Sequence, residues 1–376
     1  MKIICSKSDL LAGVNIVSKA VPSRTTMDIL SCILIDASTD MIKLTANDME
    51  IGIETKLEGT IAEKGMVAID AKFFSDIVRK LPDNDVTIET KVKEGIEEDA
   101  IQTIIRCEKS KFTISSHDGS EFSFLPYVEK NESIRISEFT LKELIRQTIF
   151  SIAQNDSNPI LCGELFEIRQ GGLRVASLDS HRISIRNTQL KDDYPEKKVI
   201  VPGKTLSEIT KILPGDTENE VEISFAKNHI LFEFSDTVVL SRLIEGNYFA
   251  IDTMLSNDYE LKLRINRREM IDSIERATLL VKEGERRPVI FEVTDDNLNI
   301  SIQSQFGNMQ ENVTIEKQGK DLKIGFNPRF FLDALRAIDE EEVVLYMTNS
   351  RGPCYIKDEG EGYIYLILPV NISGNR

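Results

Sequence analysis

Asp179-Ser180-His181 places an acid, a hydroxyl and an imidazole in one run, the three groups that a nucleophilic relay uses. Consecutive side chains on a strand alternate faces, so this run cannot form a Ser to His to Asp relay. A hydrolase built on Ser180 and His181 is the enzyme reading that these residues leave open, and the chain is expected not to be an enzyme. His117, His181 and His229 are its three histidines, so general bases are few. Gly203-Lys204-Thr205 resembles the tail of a phosphate-cradling loop, yet Lys198 stands where that loop needs its first glycine. The carboxylate runs Glu94 to Asp99 and Asp339 to Glu342 lack the His and Gly of a metal-binding loop and read as solvated segments. Cys5, Cys32, Cys107, Cys162 and Cys354 are odd in number, far apart and form no C-x-x-C pair. They read as buried free thiols and not as a disulfide framework or zinc site.

The pattern with more content is basic. In Lys72, Asp76, Arg79, then Lys204, Glu208, Lys211, then Arg329, Asp333, Arg336, a base, an acid and a base stand at i, i+4 and i+7. Those offsets share one helix face. Apolar residues hold the opposite face, as Phe74, Ile77, Val78 and Leu81 do in the first copy, and Pro82 and Pro214 stop the first two helices. Each helix therefore packs one side and shows a basic stripe on the other.

A second helix type must help to position the stripes. It follows a short alternating strand each time: 7–20 after 2–6, 140–154 after 134–139, and 266–281 after 260–265. In the middle copy Leu141, Leu144, Ile145, Thr148, Ile149 and Ile152 mark the buried stripe, with Lys142 and Arg146 outside it. Alternating segments lie between, among them Met41 to Thr45, Val86 to Glu89, Phe112 to Ser116, Val221 to Phe225, Ile230 to Phe234, Leu298 to Ile302 and Val343 to Thr348. Both helix types recur at a spacing of about 130 residues, so the expected architecture is α+β, three repeats of a two-helix, sheet-containing unit. Polar stretches near Leu125 to Ser133 and Ala250 to Tyr259 place the expected domains at 1–127, 128–252 and 253–376.

A net charge of -16 at pH 7 argues at first against a nucleic-acid partner, because affinity for phosphate rests on Lys and Arg. The charge is not evenly spread. The six helical segments hold fourteen Lys and Arg against nine Asp and Glu, a net of +5, which leaves -21 for the remainder. Basic helix faces on an acidic body suit a protein that tracks along DNA without reading sequence, and no recognition-helix or zinc-finger pattern accompanies them. No window approaches the ~20 apolar residues of a membrane span, and the alternating Met1 to Lys7 is unlike a signal peptide, so a cytoplasmic protein is expected.

The triplicate helices, with Leu178-Asp179-Ser180-His181-Arg182-Ile183, Ile200-Val201-Pro202 and Tyr365-Leu366-Ile367-Leu368-Pro369-Val370, resemble the beta subunit of bacterial DNA polymerase III. The resemblance covers essentially the whole chain and rests on order and spacing together. It implies the DNA clamp fold, a head-to-tail homodimeric ring around duplex DNA, no cofactor, no metal, and no membrane. It implies that Arg24, Lys72, Arg79, Lys142, Arg146, Lys204, Lys211, Arg329 and Arg336 face the DNA. It further implies an apolar cleft for short peptides of the polymerase III catalytic subunit, the clamp loader and other clamp-binding proteins. The matching cleft residues are Leu161, Leu178, His181, Arg182, Ile183, Phe249, Met254, Leu366, Leu368, Pro369 and Val370, while Ile367 reads as core. At the ring joint it sets Phe112 and Ile114 against Leu279 and Leu280.

The sequence departs from its relatives mainly at the cleft. Many have Thr-Asp-Gly-His-Arg-Leu where this chain has Leu178 to Ile183, and a Phe-Pro-x-Tyr turn where it has Tyr248-Phe249-Ala250-Ile251. The replacements stay apolar but change shape. These departures suggest a divergent second copy of the clamp with restricted partners, and a clamp-like binding or scaffold protein that keeps the fold but no longer encloses DNA is the alternative reading of the chain.

Overall fold

A computed structural model describes residues 1–92, 101–130, 132–282 and 287–372. The carboxylate run 94–99 and the last four residues lie outside the described residues. Two compact units emerge, Met1–Phe139 with Lys211–Leu243, and Thr140–Thr210 with Ile244–Arg376.

Among the described residues six α-helices form: α1 (Lys7–Val17), α2 (Ala71–Lys80), α3 (Glu138–Arg146), α4 (Gly203–Ile212), α5 (Arg267–Thr278) and α6 (Pro328–Ala337). Side-chain caps start several of them. Ser6 accepts from the amide of Asp9, Asp70 from Phe73, Asn266 from Glu269 and Asn327 from Arg329, each satisfying a donor that the first helical turn leaves over. Pro328 occupies the first turn of α6, where its missing N–H costs nothing. Lys2–Ser6 alternates half-buried and buried side chains before α1, as its sequence pattern requires.

The middle copy of the first helix type is shorter than its periodicity suggests. It begins at Glu138 and ends at Arg146 instead of running from 140 to 154. Past that end the backbone tightens: the Thr148 amide donates to Ile145 O at 3.1 Å, the Thr148 hydroxyl to Leu144 O at 2.7 Å, and the Ser151 amide to Thr148 O at 3.1 Å. With i to i+3 bonds replacing the helical ones, the chain turns into a short 3-10 segment at Ile149–Ser151, and Tyr365 Oη donates to the Gln147 carbonyl at 3.1 Å.

The first unit is organised on a thirteen-stranded sheet that runs from Glu132–Ser137 at one edge to Thr60–Glu63 at the other. In the second unit a nine-stranded sheet orders its strands as Lys197–Pro202, Gly163–Arg169, Gly172–Leu178, Arg182–Gln189, Tyr363–Ile367, Cys354–Lys357, Glu342–Met347, Leu261–Asn266 and Glu316–Gly319. A four-stranded sheet accompanies it. The hairpin between Gly163–Arg169 and Gly172–Leu178 turns on Gln170 and Gly171, both with positive φ (50° and 73°). That pairing matches the right-handed twist of the two strands, and Gly171 adopts it without steric cost.

Alternation divides the nine-stranded sheet into two apolar layers. Tyr363, Tyr365 and Ile367 join the core built by α5 and α6, where Phe291, Phe326 and Phe331 meet with ring centroids 4.8–5.5 Å apart. Leu178, Ile183, Ile364 and Leu366 face the other way, into a cluster with Leu165, Ile251 and Tyr355. Cys5, Cys32, Cys107 and Cys354 are buried thiols, and Cys162 is half-buried.

Candidate functional site

The second layer carries the candidate binding surface. The strands Gly172–Leu178 and Arg182–Gln189 are joined by Asp179, Ser180 and His181, which form a turn and not a strand. The Asp179 carboxylate accepts from the backbone amides of His181 (2.7 Å) and Arg182 (3.1 Å). It is therefore committed to holding the turn, and the His181 ring stacks instead on Phe330 of α6, 5.9 Å away. The strand Arg182–Gln189 pairs with Tyr363–Ile367 in the register Ile183 to Leu366 and Arg182 to Ile367. The Leu368 amide then donates to His181 O at 2.9 Å, which fixes the end of that strand against the turn.

Leu178, Ile183 and Leu366 are buried in the layer and supply its floor. Over that layer runs the segment around the 3-10 turn Ile251–Thr253, tied down by buried Ile251 and by Asp252, whose carboxylate meets Arg174 at 2.8 Å and Arg169 at 3.2 Å. Hydrogen bonding from the nearly buried Arg174 guanidinium holds the Asp252 carboxyl below its ordinary range. From this anchored segment Phe249 and Met254 keep 36% and 42% of their surface exposed, and Leu368 keeps 40%. Large apolar side chains left in water above a buried apolar floor are the usual sign of a surface built to be covered. Leu161 packs at its margin, and Pro369 and Val370 are half-buried, with the Val370 amide donating to Gly325 O.

Arg182 departs from the expectation that it lines this surface. Its neighbour Ile183 points into the layer, so Arg182 points to the opposite face, toward α6. It is 8% exposed, and its guanidinium bonds to Asp179 (3.1 Å), Asp333 (2.7 Å) and the Phe150 carbonyl while lying 4.5 Å over the Phe330 ring. No spacing rule in the sequence pointed to Phe330 and Asp333 as its partners. Asp252 was missed for the same reason, lying in a polar loop with no local pattern.

The basic residues divide into two kinds. Arg24, Lys72, Arg79, Lys204, Lys211, Arg329 and Arg336 are exposed, with Arg79 beside Asp76 at 3.4 Å and Arg336 at 2.7 Å from Glu275 of α5. Lys142 is half-buried. Arg146 is half-buried too and is clasped by Glu143 and by Asp339 at 3.0 Å, so its charge is largely spent within the protein. The strand Ser110–Asp118 bonds along Ile101–Cys107 on one side but meets Met66–Asp70 only at His117 and Asp118. Among the described residues no strand pairs with its other edge at Phe112, which is exposed, or at half-buried Ile114. At the end of α5 Leu279 is 81% exposed, while Leu280 packs on the core.

Family models for the DNA polymerase III beta subunit match along the chain: the N-terminal domain over residues 1–126, the central domain over 135–249 and the C-terminal domain over 252–371. The chain belongs to the DNA polymerase III beta subunit family. A beta sliding clamp of Staphylococcus aureus is 34% identical over 381 residues, covering 98% of this chain and 99% of the relative. In three dimensions the fold is similar to a putative DNA polymerase III beta subunit from Eubacterium rectale (62% identity, TM-score 0.95) and to the DNA polymerase sliding clamp of Bacillus subtilis (34%, TM-score 0.93), each over 99% of both chains. The α+β architecture is thus three clamp domains, and the family places the protein in DNA replication. No helix among the described residues is long and apolar enough to cross a membrane.

Proposed function

We propose that two copies of the chain close head to tail into a ring that encircles duplex DNA without reading its sequence, acts as a polymerase processivity factor in the cytoplasm and catalyses nothing. The domains of this reading are 1–127, 128–252 and 253–376. The observation that carries it is the succession of three beta-subunit domain matches along the chain. The exposed bases of α2, α4 and α6 support the DNA contact, since many weak phosphate contacts on helices allow sliding. For the joint, the support is a strand edge left unpaired among the described residues at Phe112 and Ile114 and the exposed Leu279 beside Leu280, which suit a heterologous contact that two copies close. The apolar surface of Phe249, Met254 and Leu368 over its buried floor suits two or three anchor side chains of a short peptide from the polymerase, the clamp loader or another clamp-binding protein.

Retention on nicked circular plasmid, loaded by a clamp loader and chased with salt, tests the ring. Loss of that retention when the plasmid is linearised is the expected result, because a topological link requires a closed molecule. Equal retention on both forms sinks the ring and favours the clamp-like scaffold that no longer encloses DNA. Light scattering adds a second check: a species of twice the chain mass that persists on dilution is expected, and a persistent monomer contradicts it.

A further inference from the structure

Along α6 the acid between two exposed arginines is satisfied from outside the helix. Asp333 is half-buried, and its Oδ2 lies 2.7 Å from Arg182 Nη1, on the strand that begins just after the binding-surface turn. In α2 the corresponding acid, Asp76, pairs within its own helix with Arg79. Arg182 is held in place by more than this one contact. Asp179 and the Phe150 carbonyl accept from two more of its donors, and the Phe150 and Phe330 rings lie 5.5 and 4.5 Å from its guanidinium carbon. A planar, permanently charged guanidinium meets these demands together, and a lysine ammonium does not.

The local charge balance then depends on Arg182. Arg329, Arg336 and Arg182 stand against Asp333, Asp179 and Glu275, which pairs with Arg336 at 2.7 Å, a net of zero. Without Arg182 the same group carries one net negative charge. We propose that Arg182 is a positioning residue for DNA binding, which neutralises Asp333 and so sets the charge that α6 offers to phosphate. The proposal rests on the reading that α6 faces DNA. It makes the first residue of the strand beside the peptide surface a determinant of DNA affinity, although its side chain points away from that surface.

The test measures binding of a fluorescent duplex oligonucleotide by anisotropy across a series of sodium chloride concentrations, with the full-length dimer. Removing one effective positive charge is expected to weaken binding about five- to tenfold near 0.1 M salt and to lower the salt slope by about one. Arg182→Gln should show that loss, Asp333→Asn a gain of similar size, and the double variant an affinity near the parent's. The gain and the rescue are effects that mere loosening of the turn does not produce. An Arg182→Gln variant and a double variant that are equally weak overturn the proposal. If Arg182→Gln does not fold, Asp333→Asn decides alone: tighter binding supports neutralisation, and unchanged or weaker binding refutes it. Arg329→Glu separates the two levels of argument. A loss there with no effect of Arg182→Gln overturns this inference only, whereas no loss there removes the DNA-facing reading of α6 and the inference with it.

Discussion

Glu164 is fully buried on the strand Gly163–Arg169, and neither carboxylate oxygen has a hydrogen-bond partner among the described residues. The nearby Thr148 hydroxyl already gives its hydrogen to the Leu144 carbonyl at 2.7 Å, so it has none for an ionised carboxylate. Desolvation pushes the Glu164 carboxyl up from 4.5 to about 8. Between those values the folded chain holds a proton that the unfolded chain has released. Stability is therefore greatest below the unfolded value, falls as pH rises from about 4.5 to about 8, and is level beyond. At pH 7 the cost is about 3 kcal/mol, from 1.36 kcal/mol per pH unit over the interval above 4.5. Glu164→Gln keeps the shape and removes the titration. For a unit of this size, where 1 kcal/mol moves the midpoint by about 2–4 °C, the variant is expected to melt about 10 °C higher at pH 7, with little gain at pH 4.5. The assay is thermal unfolding of both proteins from pH 4.5 to 8.5 in buffers of equal ionic strength. Midpoints that run parallel across that range would falsify the assignment of a buried, protonated Glu164.

Further expectations concern the proposed surfaces. Lys204→Glu with Lys211→Glu should lower DNA retention at least tenfold and leave the dimer intact, as read by plasmid retention and light scattering; loss of the dimer instead means that α4 lies at the joint. Leu368→Asp should abolish binding of a clamp-binding peptide in a calorimetric titration and spare DNA, since a charge replaces an apolar anchor; retained binding relocates the peptide surface. Phe112→Asp should convert the dimer to monomer in sedimentation with little change in melting of the monomer unit, because Phe112 is already exposed; a variant that stays dimeric removes the strand Ser110–Asp118 from the joint.

Sequence alone determined the parts that depend on neighbours. The 3.6-residue period located all six helices, and Asp70, Asn266 and Asn327 cap three of them where the periodicity begins, because capping is settled within three residues of chain. Ile367 read as core while the resemblance set Leu366 in the cleft, and the two face opposite ways because the pleat has a period of two. The threefold recurrence needed no contacts at all. What only the tertiary structure decided are pairings across long stretches of chain. Arg182 meets Asp333 across 151 residues, and Tyr365 reaches Gln147 across 218, just past the end of α3, which stops eight residues before the 154 that periodicity implied. Glu164 gives no local hint that water has been removed from its carboxylate. Partners this distant are selected by sheet register and packing, which act only after the strands have met, so no short window of sequence can carry them.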